Sequence, residues 1–253
     1  MRLLAIDTTT SSTGAAIYTW SPEAPQGAWT GTFDAVTILE EDKRQAEALL
    51  PIMEAMMAKA GLSVQAMDAF ACAQGPGSFT GLRIGVTMAK TMAQFAEKPV
   101  VGISSLAALA MEGEGPGNYL RVPVIDARAN RIFAAAYKRE GDGQTPRLQA
   151  LLPESLYYQE DFLKQLTQEL EAGPYAGVVF SGKGMKAHAF LTEEASFPYE
   201  VFQGQGSLSP VEAIARMAAA RLDRGEADSV LDLTPHYLRK SQAELDRSRH
   251  ENK

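Results

Sequence analysis

The chain has very few of the side chains that bind metals or form covalent intermediates. Its 253 residues include one cysteine and three histidines, which excludes an internal disulfide and a cysteine-rich metal site. Cys72 lies in the apolar segment 69–73, so we expect a buried, unreactive thiol rather than a nucleophile. His188, His236 and His250 are scattered without the spacing of metal ligands. We therefore predict no metal site and no catalytic cysteine.

Long apolar runs and an excess of positive charge are also missing. The apolar runs near Phe70 and Val178 are too short to cross a bilayer, and the start MRLLAIDTTT lacks the apolar stretch of a secretory signal. We expect a cytoplasmic protein without membrane contact. The 24 basic and 31 acidic residues give a net charge of −7, whereas tight autonomous binding to nucleic acid needs a concentrated basic face. The one basic cluster visible in the sequence, 239–253, is diluted by acids, so any contact with RNA should run through a partner.

The order of apolar and polar segments predicts two α/β units. Each unit opens with a hairpin pattern, at 3–20 and 121–138, and a Gly- and Pro-rich segment at 112–118 separates them. We therefore predict two similar lobes, 1–110 and 111–253, the second ending in a short, partly disordered tail. Further strands are predicted at 33–39, 69–73, 100–103 and 177–181, a loop at 141–147, and helices at 45–60, 78–96, from 104, at 158–170 and at 209–222.

The segment GPGSFTGLRIG, residues 75–85, turns the chain sharply between a predicted buried strand and a helix. Ser78 is suited to cap that helix, and position 76 is proline, which breaks the G-x-S-x-G pattern of a hydrolase; we therefore discount a serine nucleophile. A nearly bare stripe repeats every four residues along the helix and comprises Gly77, Gly81, Gly85, Ala89 and Ala93.

This stripe indicates that another backbone approaches the helix closely, because each helical glycine costs about 1 kcal/mol relative to alanine. The neighbour is either the lobe's own sheet or a helix of another subunit, and the sequence leaves both open. Six of the ten methionines fall between Met53 and Met92. Methionine suits both a core and an adaptable binding surface, so it does not decide between the two.

Longer motifs make the sequence similar to one family over nearly its whole length. They are LLAIDTTT at 3–10, GPGSFTGLRIG at 75–85, P-x-x-G-I-S-S-L at 99–106, VIDARANRIFAAAY at 124–137, SGKG at 181–184, the SPVEAIA helix start at 209–215 and PHYLRKS at 235–241. Together they resemble the TsaB family, also called YeaZ. The resemblance implies an α/β protein with the two-lobed actin-like ATPase (RNase H-like) fold, each lobe a mixed sheet flanked by helices. Gln45 departs from the family pattern, which has histidine there, and this puts in doubt any role for that position.

The resemblance also implies that the chemistry of the catalytic relative, TsaD, has been lost. TsaD carries an H-x-x-x-H metal pair, and Ser105 and Leu109 stand at those two positions here. A leucine cannot ligate a metal. The near miss for a P-loop at 177–184 is rejected, because its middle reads as a strand and Gly184 offers no hydroxyl for magnesium.

A degenerate nucleotide site is implied in the cleft, with no tightly bound cofactor and at most a weak affinity for ATP or ADP. In actin-like folds the first hairpin turn surrounds phosphates with backbone N–H and hydroxyl groups. The residues assigned to this degenerate site are Asp7, Thr8, Thr9, Gly182 and Gly184.

The function implied by the resemblance is that of a non-catalytic scaffold subunit of the bacterial machinery that makes threonylcarbamoyladenosine in tRNA. Such a subunit binds TsaD through the helices near 45–60 and 78–96, supports TsaE binding to that complex, contacts tRNA indirectly and forms a homodimer in isolation. A Gly85→Leu substitution is then predicted to abolish partner binding. The predicted interface residues are Leu50, Met53, Met57, Gly77, Gly81, Gly85, Ala89 and Ala93.

Two enzymatic alternatives stay open beside the scaffold. An ATP-dependent transferase or kinase of the same fold needs a pair of carboxylates in the cleft, and Asp7 and Asp126 are the pair that the hairpins offer. A metallopeptidase needs metal ligands, which the substitutions at Ser105 and Leu109 argue against.

Overall fold

Two five-stranded sheets form the framework of the molecule. The computed structural model describes residues 1–9, 12–25, 27–39, 45–112, 115–141, 146–202 and 208–239. The first sheet has the order β3-β2-β1-β4-β5 and the second the order β10-β9-β6-β7-β8. The strands are β1 (Arg2–Asp7), β2 (Thr13–Thr19), β3 (Thr32–Leu39), β4 (Ala69–Gly75), β5 (Val100–Ser104), β6 (Tyr119–Asp126), β7 (Arg131–Glu140), β8 (Arg147–Tyr158), β9 (Gly177–Ser181) and β10 (Tyr199–Val201).

Both sheets have the same connectivity, which accounts for the two similar patterns in the sequence. In each, the first three strands form an antiparallel meander, the fourth strand pairs in parallel with the first, and the fifth pairs in parallel with the fourth. The predicted two-lobed actin-like fold is therefore confirmed. The helices are α1 (Gly27–Thr30), α2 (Gln45–Ala60), α3 (Phe79–Ala96), α4 (Ser105–Glu112), α5 (Gln159–Ala172), α6 (Phe190–Glu193) and α7 (Pro210–Asp223), with 3-10 turns at Val64–Ala66 and Lys183–Ala187.

Each sheet is covered on both faces, so its central strands are apolar throughout rather than alternating. Helices α2 and α3 cover one face of the first sheet, and α7 covers the other. Helix α5 covers the outer face of the second sheet. Cys72 lies buried in β4, as predicted, and burial raises the pKa of its thiol to about 12.

Helix α4 lies between the two sheets and all eight of its residues are buried. Ala108 and Met111 pack into the core of the first sheet, whereas Leu106, Ala107 and Ala110 pack into the core of the second. One short apolar helix therefore joins the two lobes.

The C-terminal part of the chain returns to the first lobe, which differs from the predicted division at 110/111. The apolar side of α7 faces the first sheet, where Val211, Ile214 and Ala218 join its core. Its N-terminus is fixed by a capping box between Ser209 and Glu212. A boundary drawn from sequence order alone could not show this return.

Sequence analysis missed two strands, β8 and β10. Residues 147–158 alternate too weakly to predict a strand, because β8 is an outer strand of its sheet and is largely half-buried or exposed. Most of the predicted loop at 141–147, the predicted tail from 240 onward with His250, and the side chain of Gln45 lie outside the described residues. Within the described residues, no helix combines the length and the apolar character that a membrane span requires.

Candidate functional site

The polar side chains of Asp7, Thr8 and Thr9, in the turn after β1, are hydrogen-bonded within the protein. Asp7 Oδ1 accepts hydrogen bonds from the backbone N–H of Thr9 at 2.8 Å and from its hydroxyl at 2.7 Å. The Thr8 hydroxyl donates to the carbonyl of Gly81 at 2.6 Å. All three side chains are buried, and burial raises the pKa of the Asp7 carboxyl. The hydroxyls of Thr8 and Thr9 and the Oδ1 atom of Asp7 are therefore already hydrogen-bonded within the protein.

One face of α4 connects this turn to the second lobe. Ser105 donates a hydrogen bond to the Thr9 hydroxyl at 3.2 Å. One turn later the carbonyl of Leu109 accepts a hydrogen bond from the Ser181 hydroxyl at 3.0 Å, and the Leu109 side chain is 4% exposed. The two positions where TsaD is expected to carry histidines thus lie on the same helix face, but a hydroxyl and a leucine cannot hold a metal ion. Within the described ranges, no three His, Cys, Asp or Glu side chains converge as a metal site would require.

The two glycines after β9 are needed for close packing. A Cβ placed on Gly182 would lie 2.5 Å from the carbonyl oxygen of Val124, and one on Gly184 would lie 2.6 Å from the same atom. Gly182 also has a φ of +95°, which favours glycine. The structure brings both glycines against β6, so they are accounted for by contact between β6 and the turn after β9.

A buried histidine at the end of β6 was not assigned to any site from the sequence. His188 Nε2 lies 2.9 Å from Asp126 Oδ1, and its Nδ1 lies 3.0 Å from Gln159 Oε1. Burial raises the pKa of Asp126, but the hydrogen bonds from the Arg128 amide and from His188 outweigh burial and leave this pKa below its usual value. The Asp126 carboxylate is therefore hydrogen-bonded to His188. The two residues are 62 positions apart in the sequence, so sequence spacing could not predict the pair.

Glu112 is the second titratable group that the sequence did not reveal. It ends α4 with its side chain mostly buried, and burial together with the nearby Asp7 raises its pKa to about 8, against the opposing influence of Lys183. Two buried carboxyl groups, Asp7 and Glu112, therefore lie close enough for one to influence the other. Both have raised pKa values, which favours the neutral acids.

The bare stripe on α3 faces the chain's own first lobe. Gly81, Gly85, Ala89 and Ala93 are buried, and a Cβ placed on Gly85 would lie 2.6 Å from Thr8 Oγ1. A Cβ on Gly77 would collide with the Thr9 carbonyl. Close packing against the lobe's own sheet, one of the two alternatives that the sequence left open, therefore accounts for these residues. The hypothesis that a foreign helix docks on them is corrected, and Gly85→Leu would disturb this packing before it reported on a partner.

The other predicted interface residues divide between the core and the surface. Met53 and Met57 are 3% and 7% exposed and pack in the core under α2, whereas Leu50 is 46% exposed. Phe95, which was not predicted, is 67% exposed on α3. The outer faces of the two helices, rather than the bare stripe, are therefore available to a partner.

Two topologically equivalent lobes joined by a buried helix define a protein of the actin-like ATPase fold, and comparisons with known proteins agree. A sequence model of the family TsaD, tRNA N6-adenosine threonylcarbamoyltransferase, matches residues 40–246. The tRNA threonylcarbamoyladenosine biosynthesis protein TsaB of Escherichia coli is 29% identical over 96% of both chains, and that of Bacillus subtilis is 28% identical over 96% of both.

A solved structure from Pseudomonas aeruginosa, described as similar to peptidase YeaZ, covers 94% of this chain and 99% of its own, with a TM-score of 0.72 and 25% identity. The chain belongs to the family of the tRNA N6-adenosine threonylcarbamoyltransferase TsaD, and within it to the TsaB (YeaZ) branch.

Proposed function

We propose that this chain is a non-catalytic subunit of the machinery that makes threonylcarbamoyladenosine in tRNA. It binds TsaD and supports the binding of TsaE to the complex, while TsaD transfers the threonylcarbamoyl group to adenosine. The chain is cytoplasmic in this proposal, and tRNA reaches it mainly through TsaD. Relatives named for this pathway match the chain over 96% of its length, which supports the role.

The face of α4 that points toward the cleft carries the non-catalytic part of the proposal. Ser105 and Leu109 occupy the helix positions where the resemblance implies metal ligands, and neither residue can take that role with its present neighbours. Asp7, which a phosphoryl-transfer enzyme of this fold would use, is buried beneath its own turn. This geometry does not favour the transferase or kinase alternative.

The partner surface in this proposal is the outer side of α2 and α3. Leu50 on α2 and Phe95 on α3 expose large apolar side chains there, and Ile84 and Met88 on α3 are half-buried. Apolar side chains at helical spacing suit a helix-to-helix contact. In the absence of TsaD the same surface would pair two copies of the chain, which gives the homodimer.

A pair of charged substitutions on the outer side of α3 tests this interface. Thr87→Arg with Thr91→Arg changes two exposed side chains without touching the core, so the fold should persist while TsaD affinity falls at least about tenfold. Ser196→Arg, at an exposed position of the second lobe, is the control and should leave the affinity unchanged. Isothermal titration with TsaD measures both. A folded double variant with wild-type affinity for TsaD would exclude this surface.

The nucleotide part of the proposal has a separate test. No cofactor is bound tightly, and any affinity of the isolated chain for ATP or ADP is weak, because the hydroxyls of Thr8 and Thr9 are hydrogen-bonded internally. Titration of the isolated chain with Mg-ATP should give little heat, and tRNA modification should require added TsaD. Tight binding with turnover by the chain alone would refute the non-catalytic assignment.

A further inference from the structure

An open cleft of about 400 Å³ lies on the second lobe between the outer strand β8 and helix α5. Tyr157 and Tyr158 line one side, and Lys164, Gln165 and Gln168 line the other. It lies in the other lobe from α2 and α3, and the degenerate nucleotide site does not include it. Nothing in the proposed scaffold function uses these side chains.

The two tyrosines differ in how they are held. Tyr157 is fixed, because its hydroxyl donates to the carbonyl of Pro153 at 2.8 Å and its ring lies 5.1 Å from that of Phe162. Tyr158 is 58% exposed. An exposed ring beside a cleft is a platform on which a nucleobase can stack. The amide groups of Gln165 and Gln168 can both donate and accept hydrogen bonds, as the edge of a base requires.

Three arginines gather at the turn between β6 and β7, next to this cleft. Arg131 is the cross-strand partner of Tyr158, and its Nε donates to the carbonyl of Arg128 at 3.4 Å. Arg239 donates to the carbonyl of Ala127 at 3.3 Å. Among the described residues, none of the three arginines forms a salt bridge with a carboxylate. Asp126 lies at the same turn and interacts with Arg128, so three guanidinium groups face one carboxylate and the turn is positive in a chain of net charge −7.

The nearby carboxylates decide where a phosphate could sit. Glu160 and Asp161 occupy the first turn of α5, where their negative charges interact favourably with the positive end of the helix dipole, and Asp161 lines the cleft. They would repel a phosphate in the cleft itself but can accept hydrogen bonds from a base amino group or a ribose hydroxyl. Phosphates would therefore lie on the arginine turn, with the base in the cleft.

We propose that the arginine turn (Arg128, Arg131 and Arg239) and the β8–α5 cleft together bind a segment of single-stranded RNA. One base stacks on Tyr158, and the neighbouring phosphates contact the three guanidinium groups. This inference rests on the proposed function, whose complex modifies tRNA, and adds a direct RNA contact to it. A peptide added to the outer edge of β8 is the rival occupant; an acidic peptide could pair with the arginines but would leave the stacking face of the exposed Tyr158 unused.

Fluorescence anisotropy with the full-length chain tests the site, using a labelled oligoadenylate of about twelve nucleotides and a transcribed tRNA. Tyr158→Ala should weaken binding of both RNAs about tenfold through the loss of stacking. Arg128→Gln with Arg131→Gln should reduce the slope of log affinity against log salt by about 1.4. Arg147→Gln removes one charge at the exposed far end of β8, half of what the double variant removes, and should change neither quantity.

Several outcomes would overturn the RNA site. They are no binding of either RNA at about 50 mM salt, equal losses for Arg147→Gln and the turn variants, or competition by free ATP as strong as by the oligonucleotide. A polyglutamate peptide that binds in the cleft while RNA does not would do the same. TsaD affinity of the same variants should equal that of the wild type. If the chain binds TsaD but not RNA, only the RNA site is refuted. If it binds RNA but not TsaD, the proposed scaffold function is refuted.

Discussion

The charge state of Glu112 is tied to the fold, because its side chain is mostly buried. Burial and the neighbouring Asp7 raise the pKa of its carboxyl to about 8, whereas an unfolded glutamate has a pKa of about 4.3. Between these two values the native state holds a proton that the unfolded chain has released. Stability therefore falls as the pH rises through this window, and the full penalty is present above the folded pKa.

A Glu112→Gln substitution should remove this penalty, because the amide has nearly the shape of the protonated acid. We expect the free energy of unfolding to rise by several kcal/mol at pH ~9 and by only about 1 kcal/mol at pH ~5, as urea denaturation would measure. Glu171→Gln, at an exposed position of α5, is the control and should have little effect at either pH. An equal gain at both pH values would show that the charge of Glu112 is not responsible.

Helix α3 lies in close contact with the turn after β1 at Gly85. A Cβ on Gly85 would lie 2.6 Å from Thr8 Oγ1, the hydroxyl that donates to Gly81. Gly85→Ala should therefore lower the free energy of unfolding by about 1 kcal/mol, since the buried hydroxyl loses its acceptor, at a cost greater than the helix propensity gained.

The same substitution in a Thr8→Ala background should be neutral or stabilising by about 1 kcal/mol, because the hydroxyl is gone and only the propensity term is left. Chemical denaturation of the four proteins gives the coupling between the two positions. Identical effects of Gly85→Ala in the two backgrounds would mean that Thr8 does not impose the glycine.

Elements with a strong local signal could be predicted from the sequence, and pairings between distant segments could not. Helices α2, α3 and α7 and the two hairpins follow from apolar spacing, caps and turns, which are properties of neighbouring residues. The stripe on α3 predicted a close backbone approach, but its sequence gave no information about which backbone approaches. The approaching backbone is the turn at Thr8 and Thr9, and this contact exists only in the folded protein, where β1 packs near α3.

The same limit explains which parts of the cleft and the surface were missed. Asp126 and His188 are 62 residues apart, and Arg239 lies 112 residues from the carbonyl of Ala127 that it contacts. Charge counting over a sequence window cannot join such pairs. Positive charge was therefore predicted only in the C-terminal segment, and the arginine turn was not predicted.

At the scale of the whole molecule, the segment 221–233 is hydrogen-bonded to the first lobe. Asp228 accepts hydrogen bonds from the Gly102 backbone N–H at 2.7 Å and from Arg221 at 2.9 Å, and Arg221 also donates to the carbonyl of Gly102. Beyond it, the Lys90 ammonium group donates to the carbonyls of Leu231 and Leu233. The edge of β5 is thereby covered.

An Asp228→Ala substitution should lower the free energy of unfolding by about 2 kcal/mol, because the Gly102 N–H and the Arg221 guanidinium lose their shared acceptor. Glu226→Ala is a matched control. Glu226 pairs with Arg224 on the surface, with side-chain exposures of 47% and 52%, so its loss should have little effect on stability. Thermal and urea unfolding measure both, and equal losses would show that the covering segment contributes little.

The burial of α4 between the sheets has a mechanical consequence. A protein that grips a small molecule by swinging one half toward the other needs a joint whose side chains can slide, yet all eight residues of this helix are buried and five of them pack into one core or the other. Movement at the joint would open voids in both cores at once. The molecule should consequently behave as one stiff block, suited to holding a moving neighbour steady rather than to closing on a ligand itself.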